Sequence, residues 1–231
     1  KAAEFVAIPA EKPHQSRMRA NLKIEDGCSQ FCSYCIIPYA RGPVRSNPPE
    51  QVLHQAQEFV KAGYQEIVLT GIHTGAYGTD LACGTDFAAL VASLAQIEGL
   101  QRLRLGSIEP LEITDALLDA VSKHKNICPH FHIPLQAGHD AVLEAMRRNY
   151  TTAQYRALLA KIREKAADAA ITTDIMVGFP GETQAMFESG LTFAEKMAFA
   201  KMHVFPYSAR KGTPAATMPQ QVNAQVKNQR A

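Results

Sequence analysis

Three cysteines crowd into eight residues, Cys28-Ser29-Gln30-Phe31-Cys32-Ser33-Tyr34-Cys35. Thiolates at close spacing are the usual ligands of iron–sulfur clusters, and a cubane cluster offers four irons. Three cysteines grip three of them. No fourth cysteine follows at short range, so one iron would keep an open position, the mark of a catalytic rather than a structural metal site. The competing reading is a structural zinc site completed by a histidine. Zinc sites usually pair cysteines as Cys-x2-Cys with a second pair further on. Here the spacing is Cys-x3-Cys-x2-Cys without a second pair, which favours the cluster. Cys83 and Cys128 have no motif partners and read as unligated thiols. An odd count of five, with no export signal, argues against a disulfide framework.

The elements that must carry this loop alternate short apolar runs with amphipathic helices. Leu22 to Glu25 reads as a strand leading into the cysteines. Asn47-Pro48-Pro49-Glu50 reads as a helix start with Asn47 as the cap. The stripe Val52, Leu53, Ala56, Phe59 and Val60 follows, and Gly63 ends it. Ile67-Val68-Leu69 is an apolar run suited to a buried strand. Phe87 to Ile97 marks a helix, and Leu103 with Leu105 a strand. Thr114 is placed to cap a helix carrying Leu117, Leu118 and Val121. Phe131 to Leu135 is a strand, Asp140 to Arg148 a short helix and Thr152 to Ala167 a longer one. Ile171 to Val177, Glu182 to Met197 and Met202 to Phe205 complete the series as strand, helix and strand.

About six strand–helix units imply an α/β fold with a parallel sheet. Six are fewer than the roughly eight of a closed barrel. The expectation is therefore an open, partial (β/α)6 TIM-like barrel, with a doubly wound sheet as the alternative. In both, ligands bind at the carboxyl ends of the strands. That rim collects the cysteine loop, Thr70-Gly71, Ser107 and Glu109, Gln136 and Gly138, Gly178 to Glu182, and Tyr207 to Arg210.

The 231 residues suffice for one large domain. We divide them into an N-terminal tether (residues 1–18), a core domain (19–217) and the start of a polar C-terminal segment (218–231). The chain opens without methionine, and we expect it to be part of a longer protein. Hydrophobic residues make up 46% and charged residues 20%, ordinary for a globular protein rather than a disordered or membrane-spanning one. No apolar run approaches the roughly 18 residues of a transmembrane helix, and Lys1 to Ala10 lacks the apolar core of a signal peptide. The expected location is the cytoplasm. A net charge of +2 is too small to demand a nucleic-acid partner by itself.

The loop Cys28-x3-Cys32-x-Tyr34-Cys35 resembles the signature of radical S-adenosylmethionine (SAM) enzymes, including the aromatic before the third cysteine. Cys35-Ile36-Ile37-Pro38-Tyr39-Ala40-Arg41-Gly42, Arg45-Ser46, His132 to Gly138, Met146 to Thr151, Thr173-Asp174 and Gly178 to Thr183 are similar to the methylthiotransferases within that superfamily. Leu69 to Gly75 and Ser107-Ile108-Glu109 look like the MtaB-type branch, as do His203 to Ser208, Arg210 and Gly212 to Ala215. The resemblance covers nearly all of Lys23 to Ala215. It implies a [4Fe–4S] cluster on Cys28, Cys32 and Cys35, with SAM chelating the open iron and one electron yielding a 5′-deoxyadenosyl radical. It implies a methylthio group placed on C2 of N6-threonylcarbamoyladenosine beside the tRNA anticodon. The implied partners are the tRNA anticodon stem-loop and a reductant such as flavodoxin or ferredoxin, with no membrane. Isopentenyladenosine in tRNA and a ribosomal-protein aspartate are alternative substrates of the same chemistry. A zinc-stabilised RNA-binding module is the non-enzymatic alternative. Family members carry an N-terminal domain with three more cysteines for an auxiliary [4Fe–4S] cluster and a C-terminal RNA-binding domain, neither found in this sequence.

The resemblance also proposes cofactor contacts. Tyr34 would pack beside the cluster and the adenine, or serve as a core aromatic. Thr70 and Gly71 would meet the methionyl end, where a glycine allows close approach. Ser107, Glu109 and Gln136 would touch cofactor or substrate, or cap neighbouring helices. Arg147 or Arg148 would pair with the cofactor carboxylate, a geometry that suits guanidinium, or sit on a solvated helix end. Thr173, Asp174 and Gly178 would lie near the adenosine. His73 reads either as a rim contact or as a structural histidine. Arg41, Arg45, Arg210 and Lys211 are candidates to face phosphates.

Overall fold

The computed structural model describes Met18 to Ala231. The proposed tether therefore lies outside the described residues, apart from its last position. Six parallel strands form the frame: β1 (Arg19–Lys23), β4 (Glu66–Thr70), β5 (Arg102–Arg104), β6 (His130–His132), β7 (Ala170–Val177) and β8 (Lys201–Pro206). They pair as β1-β4-β5 and β6-β7-β8. Parallel bridges Leu103↔Ile127 and Ser107↔His132 join the two triplets. Among the described residues β1 and β8 each pair on one side only, so the barrel stays open.

Strand alternation sorts the side chains. Leu22, Ile67, Leu69, Leu103, Phe131, Ile133 and Ile171 point to one face and are buried under helices in a single core. Those helices are α2 (Pro49–Lys61), α3 (Phe87–Leu94), α4 (Asp115–Lys123), α6 (Thr152–Lys165) and α7 (Gln184–Lys196). The helix covering belongs to the convex face, and the alternate residues line the concave one.

The helix starts follow local chemistry. Thr114 accepts a hydrogen bond from the Leu117 amide, as its position suggested. Thr151 and Gln154 form a reciprocal capping box on α6, and Thr183 accepts from Met186 N on α7. Each such cap stabilises its helix by about 1 kcal/mol.

Among the boundaries that differ from the sequence expectation, three bear on the site. Asn47 does not cap α2. The helix starts one residue later behind Pro48, because the Asn47 amide is taken by Ile24 O (2.8 Å) and its carbonyl accepts from Tyr77 Oη (2.6 Å). Those bonds extend a small antiparallel ribbon of β2 (Glu25–Asp26) and β3 (Arg45–Ser46) that closes the base of the cysteine loop. The first long strand lies earlier than expected, with Glu25 belonging to this ribbon instead. Finally, the helix α5 (Asp140–Ala145) stops short of Arg148, because Arg147 takes a left-handed conformation (φ 58°) that turns the chain inward. Two further helices, α1 (Ile37–Arg41) and α8 (Ala224–Arg230), follow the cysteine loop and end the chain. No helix among the described residues is long and apolar enough to cross a membrane.

Candidate active site

The cysteine loop leaves β2 and returns through α1 and β3, pinned at both ends. Cys28 N donates to Gly42 O (3.0 Å), and Cys35 N donates to Cys32 O (3.0 Å). Gly27 at φ 88° sits against Pro43, where an added Cβ would come within 2.0 Å of the Pro43 carbonyl oxygen. Only glycine fits that turn. Ser33, fully buried, donates its hydroxyl to Ala145 O (2.7 Å) and its amide to Met146 O (3.0 Å), tying the loop to the end of α5. All five cysteines are free thiols.

Two basic side chains address the sulfurs. Arg148 is buried and places Nη1 3.1 Å from Cys32 Sγ, while Nη2 pairs with Glu109. Its Nε donates to Tyr150 Oη (3.3 Å). His73 is buried, with Nδ1 3.6 Å from Cys28 Sγ and Nε2 2.5 Å from a Glu112 carboxylate oxygen. Burial pushes the Cys35 thiol up, opposed by a hydrogen bond from the Ile37 amide and by Arg148 and aided by the sulfurs of Cys32 and Cys28. The three thiols thus share one electrostatic neighbourhood, with Arg148 and His73 as the basic side chains beside it. Burial raises the Glu109 carboxyl despite Arg148. His73 is pushed up to about 10: its burial acts downward and is outweighed by its bonds to Cys28 and Glu112.

The rim carries further devices. Glu25 accepts the His73 amide, and its burial pushes it up to about 7. A Cβ at Gly71 would sit 2.2 Å from that carboxylate, so glycine is what lets β4 meet Glu25. Gln136 bridges to Ile175 in a left-handed conformation (φ 63°), unusual for a residue with a side chain. Its buried Oε1 has no hydrogen-bond partner. A buried amide oxygen left unpaired at the rim of a parallel sheet is what a ligand contact would satisfy.

The remaining expected residues divide by face. Tyr34 packs partly buried on the core, edge-on to Phe179 at 6.4 Å between ring centres, and burial raises its hydroxyl far above the usual range. Thr70 ends β4 opposite Lys23, and its carbonyl accepts from Ile24 N (2.9 Å). Ser107 is exposed beside His132. Glu109 opens a short 3-10 turn without a side-chain cap and turns to Arg148 instead. Of the two arginines, Arg147 faces solvent and Arg148 enters the site. Thr173 is fully buried on the convex side, donating to Ile133 O (2.7 Å) and accepting from Leu135 N (2.9 Å). Asp174 lies on the concave side between His132 (3.3 Å) and His203 (3.2 Å). Gly178, at φ 71°, donates its amide to Glu182 Oε2 (2.6 Å). Arg41 and Arg45 both reach Asp26 (3.4 and 3.6 Å), while Arg210 and Lys211 are exposed.

Sequence reasoning did not single out Glu25, Glu112 or Tyr150, and left His73 open. For Glu25 and His73 a signal existed, since both lie near strand ends within two residues of a glycine. Glu112 and Tyr150 carry no local signal and join the site only through tertiary contacts.

Residues 22–194 match the Radical SAM superfamily, and the chain belongs to that family. The superfamily's chemistry uses a [4Fe–4S] cluster and SAM. The residues present fit both: three free thiols from one loop with basic side chains against two of them, and a rim with an unpaired buried amide oxygen. Among the described residues no three His, Cys, Asp or Glu side chains are gathered to hold a single metal ion. A tetrahedral zinc ion would need its sulfurs about 3.8 Å apart, whereas on a cubane each thiolate takes its own iron.

The chain is 48% identical to the threonylcarbamoyladenosine tRNA methylthiotransferase MtaB of Bacillus subtilis, over 98% of this chain and 50% of that protein. It is 42% identical to the tRNA-2-methylthio-N(6)-dimethylallyladenosine synthase of Carboxydothermus hydrogenoformans, over 96% of this chain and 50% of that one. It spans about half the length of these relatives. Among solved structures it resembles the radical SAM methyltransferase TsrM of Kitasatospora setae, with a TM-score of 0.71 at 15% identity over 85% of this chain and 38% of that one. Methylornithine synthase (PylB) superposes with a TM-score of 0.61 at 15% identity, over 92% of this chain and 60% of that one. At such identities these two likenesses speak for the fold, an open barrel of radical SAM type.

Proposed function

We propose that this chain is the radical core of an enzyme that adds a methylthio group to C2 of N6-threonylcarbamoyladenosine beside the tRNA anticodon. The observation that carries this reading is the three-thiol loop held against Arg148 and His73, in a chain 48% identical to MtaB. Together the cluster and SAM supply a 5′-deoxyadenosyl radical when bound. The chain's own residues hold and shield them. Cys28, Cys32 and Cys35 provide the thiolates, Arg148 counters negative charge at Cys32, and Gln136 offers its unpaired oxygen at the rim. Tyr34 walls the site beside Phe179.

A base modified at C2 must leave its stack, and an open rim suits an extruded nucleotide. Single-stranded loops such as the anticodon loop are read by basic side chains and base pockets, for which exposed Arg210 and Lys211 are candidates. The sulfur would come from a second [4Fe–4S] cluster on a further domain, and the electron from a flavodoxin or ferredoxin. The relatives named as dimethylallyladenosine synthases support a second reading, the same chemistry on isopentenyladenosine.

Anaerobic reconstitution of the chain with iron, sulfide and SAM, followed by reduction, tests the radical step. The expected product is 5′-deoxyadenosine, absent in Cys32→Ala; a variant that still made it would refute the site. Nucleoside mass spectrometry of tRNA from a strain lacking the whole gene tests the substrate. Loss of methylthio-threonylcarbamoyladenosine is expected, and its persistence rejects this choice.

A further inference from the structure

A closed (β/α) barrel fills its interior with branched apolar side chains. The concave face here is charged. Arg19, Glu66, Arg102 and Arg104 share that face on β1, β4 and β5, and Glu66 is bonded by all three arginines, at 2.7, 2.8 and 3.1 Å. One carboxylate against three guanidinium groups leaves an excess of positive charge. Next to it a hydrogen-bonded chain crosses the other triplet. His130 Nε2 meets Thr172 Oγ1 (3.2 Å), Thr172 meets His132 Nδ1 (2.9 Å), and Asp174 bridges His132 and His203. Where the halves meet, Arg104 and His132 each lie near His130. Burial first, then the positive charge of Arg104 and His132, holds His130 below the usual histidine range, and its buried Nδ1 has no partner.

We propose that Arg104, backed by His130, binds a carboxylate on the N6 substituent of the substrate adenine. This rests on the tRNA methylthiotransferase reading and deepens it. Arg104 stands three residues below Ser107, so it lies roughly 10 Å under the rim at about 3.3 Å per residue. An adenine seated at the rim with C2 towards the cysteine loop directs its opposite edge, and the ureido-linked amino acid on it, down this face. Among the described residues Arg104 spends its Nε–H on Glu66, leaving the rest of its five-donor fork for a planar carboxylate. Glu66 keeps Arg19 and Arg102 meanwhile. A dimethylallyl group has no partner for these donors and would leave them desolvated. The same face thus selects an amino-acid-bearing adenosine over an isopentenylated one.

The test measures binding by the chain, with cluster and SAM in place, of anticodon stem-loop RNAs bearing threonylcarbamoyladenosine, its carboxamide, or isopentenyladenosine. Wild type is expected to bind the carboxylate RNA about tenfold more tightly than the carboxamide, the scale of one charge-assisted hydrogen bond. In Arg104→Leu the ratio is expected to fall to about one, and Arg104→Lys should retain part of it. Arg104→Gln, which leaves Glu66 two arginines, gives the same reading if Arg104→Leu unfolds. A wild-type protein indifferent to the carboxylate, or variants that keep the full preference, overturn this assignment while leaving the enzyme's substrate as proposed. A wild type that prefers the isopentenylated RNA overturns the functional reading and this one with it.

Discussion

Thr173 and Asp174 are adjacent in β7 and belong to different molecules in effect. Thr173 faces the helices, is fully buried, and spends its hydroxyl on the β6–α5 connection. Asp174 faces the open side, is half-buried, and touches two histidines. The two faces of the sheet repeat this contrast on β1, β5 and β6, while β8 is exposed along its length. The convex face is a packed apolar layer whose polar groups bond internally. The concave face keeps charge and water access because, among the described residues, no strand closes the barrel. Stability resides mostly in the first and selectivity in the second.

That division is easiest to break with core truncation. Phe131→Ala on the convex face is expected to destabilise the fold by about 3–5 kcal/mol in denaturant unfolding, whereas His132→Leu beside it should change stability by under ~1 kcal/mol. Equal losses would erase the contrast. Arg148→Leu comes next, because it strands the buried Glu109 carboxylate. A loss of about 3 kcal/mol is expected, limited by the readiness of Glu109 to take up a proton. The same variant should bind the cluster less well, read from iron content. A smaller effect sharpens the comparison within one dipeptide. Thr173→Val should cost about 1–3 kcal/mol by unpairing buried backbone groups, while Asp174→Asn should fall within about 0.5 kcal/mol.

The smallest expected effect is a slope. Glu25 titrates near 7 in the folded chain against 4.5 in the unfolded one. The folded state therefore holds the extra proton between those values. Stability contributed by the protonated form is complete below about pH 4.5 and is lost as pH rises through 7. Glu25→Gln should flatten that stretch of the stability-against-pH curve, measured by thermal unfolding without the cluster. An unchanged slope would mean that Glu25 is solvated rather than buried.

Much of the fold was legible because its signals are local. The six strands and the helices between them follow from apolar runs and stripes, and Thr114 caps where its neighbours predict. The cysteine loop was legible for the same reason, since eight consecutive residues carry the ligand types and spacing. Boundaries failed where a distant partner intervened: Asn47 looked like a cap until Ile24 and Tyr77 claimed its backbone. The choice between Arg147 and Arg148 was invisible in sequence. Equivalent in type and position, they part only because a left-handed residue turns the chain and Glu109, 39 residues away, captures one of them.

By itself the sequence determined the thiol triad, the strand–helix alternation and the superfamily resemblance, all written within short windows of chain. Only the tertiary structure decided that His73 reaches Cys28, that Arg148 reaches Cys32, and that Arg104 and the histidines of β6 share one open face. Those meetings depend on strand register and on the curvature of an unclosed sheet. Both are set by the packing of the whole convex layer, and no local pattern encodes them.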